Sequence, residues 1–446
     1  METNLEIIKG LLINKKYNEL KKILNELNSA DIPGILEEFD KEDVIRIFRL
    51  LSKEQAGEAF SYMESDMREK LLEDLTDREL KSVIDELFMD DTVDLIEEMP
   101  SNVVKRILKL VNKEDRNTIN ELLKYPEDSA GSIMTTEFID LKETMTAEQA
   151  LKRIRKIGTD SETIYTCYVL TEKRILKGII NIKDILIAPK EKFIEELMET
   201  NIISANTLED QEEVAKKFDK YDFYALPVVD NENRLVGIIT VDDAINVLQD
   251  EAQEDFEKMA AMQPTEDGYF ETSVWKHAKN RIVWLLILML SAAITGNILA
   301  QYEAAFAVAP LLVAFIPMIM GTGGNCGSQS STLIIRGLAT DEIKLKDIFR
   351  VIWKEIRVAF IVGVALAIVN AIRVIVQYRD IQLAVVLGIT LIVTTIISKV
   401  LGCVLPMLAK RLKLDPAIMA APLITTLVDV CSILVYFQVA TSIMGL

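Results

Sequence analysis

Two groups of residues in the last third of the chain have types and spacing that could bind a cation. The first is the stretch 317–329, PMIMGTGGNCGSQ, in which four glycines fall within seven residues beside Asn325 and Gln329. The second is Asp429, the only residue in 416–446 that is charged at neutral pH. Both lie in apolar sequence, where a carboxylate at the centre of a membrane helix costs about 2.5–3.5 kcal/mol. Such a carboxylate persists where it faces water, a cation or a partner.

Asp429 favours a hard divalent cation. It lies twelve residues beyond Ala417, so a helical rise of about 1.5 Å per residue places it roughly 18 Å along a helix, near the middle of a bilayer. An ion pair with Lys399 is the alternative. Mg²⁺ keeps its waters and binds through one or two carboxylates, so one carboxylate with nearby amide oxygens suits it. A symmetric dimer would bring two such carboxylates together and match the charge of the ion.

The glycines of 317–329 permit two interpretations. Backbone groups without partners cost several kcal/mol each in hydrocarbon, so the stretch is expected to line a water-filled cavity, offering backbone carbonyls together with Asn325 and Gln329. Close helix packing through small residues is the alternative. Packing explains the glycines but not the two amides.

Five apolar runs position these residues and predict an all-α membrane domain over 276–446. The runs cover 282–300, 304–335, 358–372, 381–409 and 416–446. About 20 apolar residues cross a membrane as a helix, and the short third run can be extended by Arg357 and Arg373, whose charges reach outward. The second run is expected to bend or break near Pro317 and Gly321.

The charge distribution predicts the orientation in the membrane and argues against a nucleic-acid partner. Residues 276–446 carry 15 Lys and Arg against 8 Asp and Glu; subtraction from the totals of 50 and 69 leaves 35 against 61 in 1–275, so the two parts carry +7 and −26. The acidic part argues against a nucleic-acid partner. Basic residues precede run one and separate runs two from three and four from five, which predicts a cytoplasmic amino terminus and an external carboxyl terminus.

Enzymatic chemistry has little support in the sequence. The chain has one histidine and four scattered cysteines, and it lacks CxxC, HExxH, Walker A, nucleophile-elbow and GxGxxG motifs. Neither a zinc site nor a disulfide framework is indicated, and no conventional enzyme is expected. The acidic amino terminus has no apolar stretch of the kind found in cleavable signal peptides.

Residues 1–130 predict an acidic, α-helical superhelix of short helices. Thr76 to Glu79 has the capping-box pattern, and Ser52, Ser101 and Asn112 are expected to begin other helices. Three aspartates, Asp90, Asp91 and Asp94, lie within five positions. They form either a cation-binding surface or a solvated helix face.

Residues 131–250 contain an internal repeat. The pattern YTCYVL, seven residues, GIINIKD (165–184) recurs 59 positions later as YALPVV, seven residues, GIITVDD (224–243). Upstream, MTTEFI from Met134 matches METNII from Met198. Each copy is expected to run strand, helix (148–157 or 211–218), two strands and helix, which resembles tandem α+β CBS (cystathionine-β-synthase) domains. Such pairs often bind adenine nucleotides, and Thr240 and Asp242 resemble the ribose-contact stretch, so ATP is a candidate ligand.

A long acidic helix is predicted to connect the repeat to the first apolar run. It covers 248–279 with Pro264 and Gly268 near its far end, and the connecting domain is placed at 251–275. A continuous helix between a sensor and a pore could transmit motion, which a flexible linker could not.

In this order, the four parts resemble the MgtE magnesium channels. The residues that carry the resemblance are Pro317, Gly323-Gly324-Asn325 and Gln329 in run two, and Asp415-Pro416, Pro422, Thr425-Thr426 and Asp429 in run five. The resemblance implies a homodimer in the inner membrane, surrounded by lipid, with runs two and five forming a Mg²⁺ pore in which Asp429 from each chain holds the hydrated ion. It also implies closure by internal Mg²⁺ at sensor carboxylates, which correspond here to Asp91, Asp94, Glu212, Asp222, Asp243, Glu251, Glu254 and Asp255. Asn246 stands where another carboxylate is expected, so one regulatory site would be weaker or absent.

Two other functions remain open from the sequence. A proton- or sodium-coupled transporter would protonate Asp429 rather than bind a metal there, although five spans without an evident inverted repeat argue against it. A membrane-anchored Mg²⁺ or nucleotide sensor would leave the glycine-rich stretch and Asp429 without a purpose.

Overall fold

The computed structural model describes residues 2–265, 268–270, 272–302, 309–419 and 421–445. The chain divides into two compact units, 1–249 and 250–446, here called the amino-terminal unit and the membrane unit. Parts of four predictions lie outside the described residues: the start of the second apolar run, the loop before it, the end of the fifth run, and positions 266, 267 and 271 of the connecting segment.

The amino-terminal unit begins with ten short helices. They are α1 Glu2–Ile13, α2 Tyr17–Glu26, α3 Ile32–Leu36, α4 Lys41–Phe48, α5 Lys53–Ser61, α6 Ser65–Asp74, α7 Asp77–Ile84, α8 Met89–Glu98, α9 Ser101–Leu110 and α10 Lys113–Leu122. The Thr76–Glu79 capping box forms as predicted, because the Thr76 hydroxyl and the Glu79 carboxylate each accept from the other's backbone N–H. Ser52 and Asn112 are N-caps, whereas Ser101 is the first helical residue after Pro100.

Two three-stranded sheets follow, as the repeat predicts. The first contains β1 Phe138–Lys142, β2 Thr163–Leu170 and β3 Leu176–Asn181, and the second β4 Ala205–Asn206, β5 Ala225–Val229 and β6 Leu235–Thr240. In each sheet the first pair is parallel and the second antiparallel. Their helices are α11 Ala147–Ile157, α12 Ile182–Ile187, α13 Gln211–Tyr221 and α14 Val241–Met259.

Each repeat copy is completed by the segment that precedes the other copy. Thr135, from before the first copy, pairs with Ile238 in β6, and Glu199, from before the second, pairs with Ile179 in β3. A Cβ at Gly237 would lie 2.8 Å from the Met134 sulfur. The strand therefore needs glycine there to admit the crossing segment.

The membrane unit contains the five predicted helices. They are α15 Val274–Gln301, α16 Ile316–Ala339, α17 Ile348–Tyr378, α18 Ile381–Arg411 and α19 Ala421–Met444. Short 3₁₀ turns precede three of them, at Pro310–Phe315, Leu345–Asp347 and Pro416–Met419. The five resulting segments are long and apolar enough to span a membrane. The third helix is much longer than the run 358–372 from which it was predicted. α16 is continuous through Gly321, so the predicted irregularity is confined to the 3₁₀ turn before Ile316.

The connecting helix differs from the prediction. α14 begins inside the repeat at Val241 and ends at Met259, and the described residues from 260 to 273 are not helical. A new helix, α15, then starts at Val274 with Ser273 as its N-cap. Pro264 lies in the intervening non-helical segment rather than near the end of one long helix.

Candidate functional site

Glycines bring α16 into close contact with α19. A Cβ at Gly323 would lie 2.8 Å from Ser432 Oγ, and a Cβ at Gly327 would lie 2.7 Å from Ile424 Cγ2. The two helices therefore run antiparallel, since advancing along α16 means moving back along α19. A side chain at either glycine would force them apart, so close packing through small residues accounts for both positions.

The opposite face of α16 is polar and exposed. Gly321, Asn325 and Gln329 are spaced four residues apart and are all exposed, which places them on one helix face. Because α16 is a regular helix, its backbone carbonyls are used within the helix, and the expectation that they line a cavity is wrong. The two amide side chains are among the polar groups that this face presents.

Asp429 lies half-buried on α19 beside this helix. It is four residues after Thr425, which contacts α16 where a Cβ at Gly324 would lie 2.9 Å from Thr425 Cγ2. One helical turn separates the two positions on the same face. Since α19 has 24 residues from Ala421, Asp429 stands about 12 Å from the start of the helix. The carboxylate is thus inside the span, next to the glycine-rich helix.

Lys399 has a different partner from the one considered in the sequence. Its Nζ lies 3.7 Å from Glu355 Oε2 and 3.1 Å from Ser330 Oγ. Within the described residues, the ion pair of Lys399 is therefore with Glu355 on α17. The alternative prediction, an ion pair between Lys399 and Asp429, is therefore wrong.

A second candidate site is an acidic cluster in the amino-terminal unit. Asp90, Asp91 and Asp94 lie on α8, Asp243 lies in the first turn of α14, and Glu162 lies just before β2. The structure brings the predicted sensor residues Asp91, Asp94 and Asp243 together with two further carboxylates. Asp90 belongs to the aspartate group already considered as a cation-binding surface, whereas Glu162 was not predicted. The Thr240 hydroxyl donates to Asp243 Oδ2 at 2.6 Å and orients that carboxylate.

The electrostatics of the acidic cluster disfavour its charged state. Burial, with the nearby Asp243 carboxylate, raises the pKa of Asp91 to about 6. Burial and the surrounding carboxylates raise the pKa of Asp94 to about 7 and that of Glu162 to about 8. The pKa of Asp90 is raised well above its ordinary value by burial and by Asp243. Like charges near one another in a partly dry site favour protonation or a bound cation.

The cluster is not a preformed chelating cage. In the described part of the chain, no three His, Cys, Asp or Glu side chains converge tightly enough to hold a metal ion directly. Mg²⁺ usually retains several of its waters and meets carboxylates through them. The arrangement therefore suits a hydrated cation.

The other predicted sensor carboxylates are placed separately. Glu212 lies in the first turn of α13 and pairs with Lys216 at 2.9 Å. Asp222 ends the same helix in the left-handed conformation, with φ of 55°. Glu251, Glu254 and Asp255 lie on α14.

The last residues of α14 belong to the membrane unit and contact its other elements. Lys258 Nζ lies 2.6 Å from Glu254 Oε1 and 2.7 Å from Asp415 Oδ2. Met259 packs against Ile335 of α16 and Ala417 before α19. The connecting helix thus contacts the ends of the two helices that carry Asn325 and Asp429.

The candidate nucleotide residues are adjacent but differ in exposure. Thr240 is buried at the end of β6 and its hydroxyl is bonded to Asp243, while Asp242 is exposed. Asp242 is the one of the two that an incoming ligand can reach.

Sequence reasoning missed Glu162 and Glu355. Glu162 carries no local signal, because it is one of 69 acidic residues and precedes an ordinary strand. Glu355 could have been found, because Lys399 inside an apolar run requires a partner. It was overlooked because it stands among the basic residues before the third run.

Comparison with known families covers most of the chain. Residues 316–439 match the MgtE family of divalent cation transporters, residues 11–128 match the MgtE intracellular N domain, and residues 130–191 and 194–250 each match the CBS domain.

Individual relatives agree with these matches. The chain is 35% identical over 424 residues to the magnesium transporter MgtE of Thermus thermophilus, covering 94% of both chains, and 33% identical over 432 residues to that of Bacillus subtilis, covering 97% of this chain and 95% of the other. A solved cytosolic domain of the Mg²⁺ channel MgtE in complex with ATP superposes with a TM-score of 0.52 at 34% identity, over 54% of this chain and 98% of that one. The soluble part of a magnesium transporter gives a TM-score of 0.54 at 30% identity, over 56% and 99%. This chain therefore belongs to the MgtE family of magnesium transporters.

Proposed function

We propose that this protein is a channel that lets Mg²⁺ pass into the cytoplasm down its electrochemical gradient. The observation that carries the proposal is the position of Asp429, a half-buried carboxylate within a membrane span, on a helix packed against α16. A carboxylate at that depth needs water, a cation or a partner. Lys399 is already paired with Glu355.

The chemistry of the site suits a hydrated ion. Mg²⁺ gives up its waters reluctantly and prefers oxygen ligands. Asp429 supplies negative charge, and the amides of Asn325 and Gln329 can accept from or donate to the waters of the ion. A site that holds the hydration shell rather than replacing it binds weakly enough to release the ion again.

The pore requires a second copy of the chain. Asn325, Gln329 and Gly321 are exposed on one side of α16, and polar side chains of a membrane helix face protein or water rather than lipid. A two-fold axis next to this face would bring two Asp429 carboxylates to the same ion and balance its charge. The proposal is thus a homodimer with the pore on its axis.

The acidic cluster and α14 support the proposal that internal Mg²⁺ closes the channel. The pKa values of Asp91, Asp94 and Asp243 are raised, so their charged forms are disfavoured in the folded protein. A bound cation would reduce the repulsion between these carboxylates and stabilise the folded arrangement that brings them together. The helix α14 contains both Asp243 and Lys258, and Lys258 pairs with Asp415. Cation binding at Asp243 would favour the arrangement in which this helix is continuous and this ion pair is formed. The ion shifts the balance by its difference in affinity for the two states. The remaining proposed regulatory ligands are Glu212, Asp222, Glu251, Glu254 and Asp255.

The orientation of the protein rests on the basic residues between the spans. Loops rich in Lys and Arg precede α15 and join α16 to α17 and α18 to α19, and the positive-inside rule places these on the cytoplasmic side. The amino-terminal unit is then cytoplasmic and the carboxyl terminus external, in the cell (inner) membrane.

ATP is a second proposed regulator. Support comes from the solved relative that binds ATP at 34% identity and from the exposed Asp242 at the end of β6. Equilibrium binding of ATP that is weakened by Asp242→Asn would support the assignment, and unchanged binding would remove Asp242 from it.

The experiment for the pore is Mg²⁺ uptake into proteoliposomes containing the Asp429→Asn variant. The matched control is Asp341→Asn, which removes one carboxylate from an exposed loop position whose φ of 55° asparagine tolerates. Uptake is expected to be lost with Asp429→Asn and kept with the control, while both variants assemble as the wild type does. Wild-type uptake by an assembled Asp429→Asn protein would refute the pore assignment.

A further inference from the structure

A buried polar network joins three of the membrane helices. Lys399 of α18 is 5% exposed and Glu355 of α17 is 9% exposed, with Nζ and Oε2 3.7 Å apart. Ser330 of α16 lies between them, fully buried: its hydroxyl donates to Glu355 Oε2 at 2.6 Å and accepts from Lys399 Nζ at 3.1 Å. One hydrogen-bonded network therefore links α16, α17 and α18.

This network is a poor device for stability alone. Burying two opposite charges loses their hydration, and well-packed apolar residues of similar size often stabilise a protein as well or better. A buried polar network does fix geometry, because its hydrogen bonds are satisfied in one arrangement only. The network is therefore expected to set the position of a helix rather than to strengthen the fold.

Among the three helices, α16 is the one that carries Asn325 and Gln329. It meets α19 through Gly323 and Gly327, which contribute no side chain to this contact and lie against side chains of α19. The glycines themselves have no side chain that could fix the rotation of α16 about its own axis. Ser330, three residues after Gly327, adds directional hydrogen bonds on the buried side.

Rotation of α16 determines what the exposed face presents. Each residue turns an α-helix by about 100°, so Ser330 points roughly 140° away from Asn325, five positions earlier. Asn325 and Gln329 are exposed while Ser330 is buried. Holding Ser330 against Glu355 and Lys399 thus fixes the direction of the two amides.

We propose that Ser330, Glu355 and Lys399 are positioning residues for ion selectivity. They hold α16 at the rotation in which Asn325 and Gln329 face the ion path, and the opposite charges of Glu355 and Lys399 cancel, so they add no net charge near it. This inference rests on the proposed pore function and assigns its geometry to residues outside the pore.

The test compares transport of Mg²⁺ with that of Mn²⁺, Co²⁺ and Ni²⁺ in proteoliposomes. Ser330→Ala removes the bridging hydroxyl and keeps both charges, while the double variant Glu355→Gln with Lys399→Gln removes both charges together. The control is Ser398→Ala, since Ser398 is also buried but donates to Thr394 of its own helix at 2.7 Å. Ser330→Ala is expected to transport with a severalfold change in the ratio of Mg²⁺ to the other ions, whereas Ser398→Ala keeps the wild-type ratio.

Outcomes separate this inference from the pore assignment. If assembled Ser330→Ala shows the wild-type ion ratio, or changes only thermal stability, the positioning role is refuted. If Asp429→Asn, measured in parallel, transports normally, the pore assignment itself fails. Should the double variant not assemble, Ser330→Ala alone decides the question.

Discussion

Neutralising Asp91 should stabilise the amino-terminal unit when Mg²⁺ is absent. The pKa of Asp91 is raised by burial and by Asp243 from 3.8 to about 6, and a shift of about two units corresponds to roughly 3 kcal/mol against the charged form. Asparagine keeps the size of the side chain and removes the charge. Allowing for the water that still reaches this half-buried group, Asp91→Asn should raise the free energy of unfolding by about 1–3 kcal/mol, or the melting temperature by about 2–8 °C.

The pH dependence has the same origin. A carboxyl group whose pKa is higher in the folded protein than in the unfolded chain binds its proton more tightly when folded, so stability falls as pH rises through that interval. For Asp91, Asp94 and Glu162, with pKa values of about 6, 7 and 8, the interval runs from about pH 4 to about pH 8. The metal-free protein should be more stable near the lower end, and Mg²⁺ should stabilise it mainly near the upper end.

The assay is hydrogen exchange and thermal unfolding of the full-length protein in detergent, with and without millimolar Mg²⁺. Glu26→Gln, an exposed carboxylate at the end of α2, is the control and should behave as the wild type. The reasoning is wrong if Asp91→Asn is less stable than the wild type without metal. It is equally wrong if Mg²⁺ stabilises the wild type to the same extent at both ends of the pH interval.

Three further variants test closure by internal Mg²⁺ and the packing of α16 against α19. Lys258→Met removes the ammonium that bridges Glu254 and Asp415, so transport should persist at internal Mg²⁺ concentrations that inhibit the wild type; an unchanged inhibition curve would exclude this contact from closure. Gly327→Val should lower the melting temperature and the transport rate, because even a Cβ there would lie 2.7 Å from the Ile424 side chain. Gly321→Ala, where nothing lies within 4 Å, should keep the wild-type melting temperature, and equal losses in both glycine variants would argue against the packing explanation.

Local chemistry made the helices of the amino-terminal unit predictable. A side-chain oxygen before an apolar helix satisfies free backbone N–H groups whatever the surroundings, so Thr76, Ser52 and Asn112 identify helix starts correctly. Ser101 also begins a helix as predicted, although it is the first helical residue after Pro100 and no side chain caps that helix.

Tertiary pairing in the repeat could not be obtained from the sequence. The similarity of the segments beginning at Met134 and Met198 shows that they are equivalent. It does not show that each pairs with the opposite copy, as Thr135 does with Ile238. Two copies with nearly the same pattern make either pairing compatible with the sequence.

The membrane helices were predicted in number but not in length. Hydropathy ends the third run at Arg357, yet α17 begins at Ile348, about three helical turns earlier. One of the charged residues in this extension, Glu355, is paired with Lys399. The connecting helix was predicted too long, because α14 ends at Met259, before Pro264. Charge patterns alone do not distinguish a helix from the segment that follows it.

The polar residues of the candidate pore were predictable from the sequence, but their arrangement around α16 was not. The positions of Asn325, Gln329 and Asp429 follow from their unusual polarity in apolar runs. The sequence did not show that the glycines of α16 pack on one side of the helix while the amides are exposed on the other. Both sets of residues lie in the same thirteen-residue stretch, so their separation became visible only in the structure.

The most direct test of the account is Mg²⁺ uptake into proteoliposomes when no other gradient is available. Sodium is omitted and a protonophore collapses the proton gradient, so that only the Mg²⁺ gradient drives transport. We expect wild-type protein to take up Mg²⁺ at an undiminished rate, and Asp429→Asn protein reconstituted at the same density to take up none. Uptake that stops when the proton or sodium gradient is removed would instead identify a coupled transporter and contradict the channel mechanism.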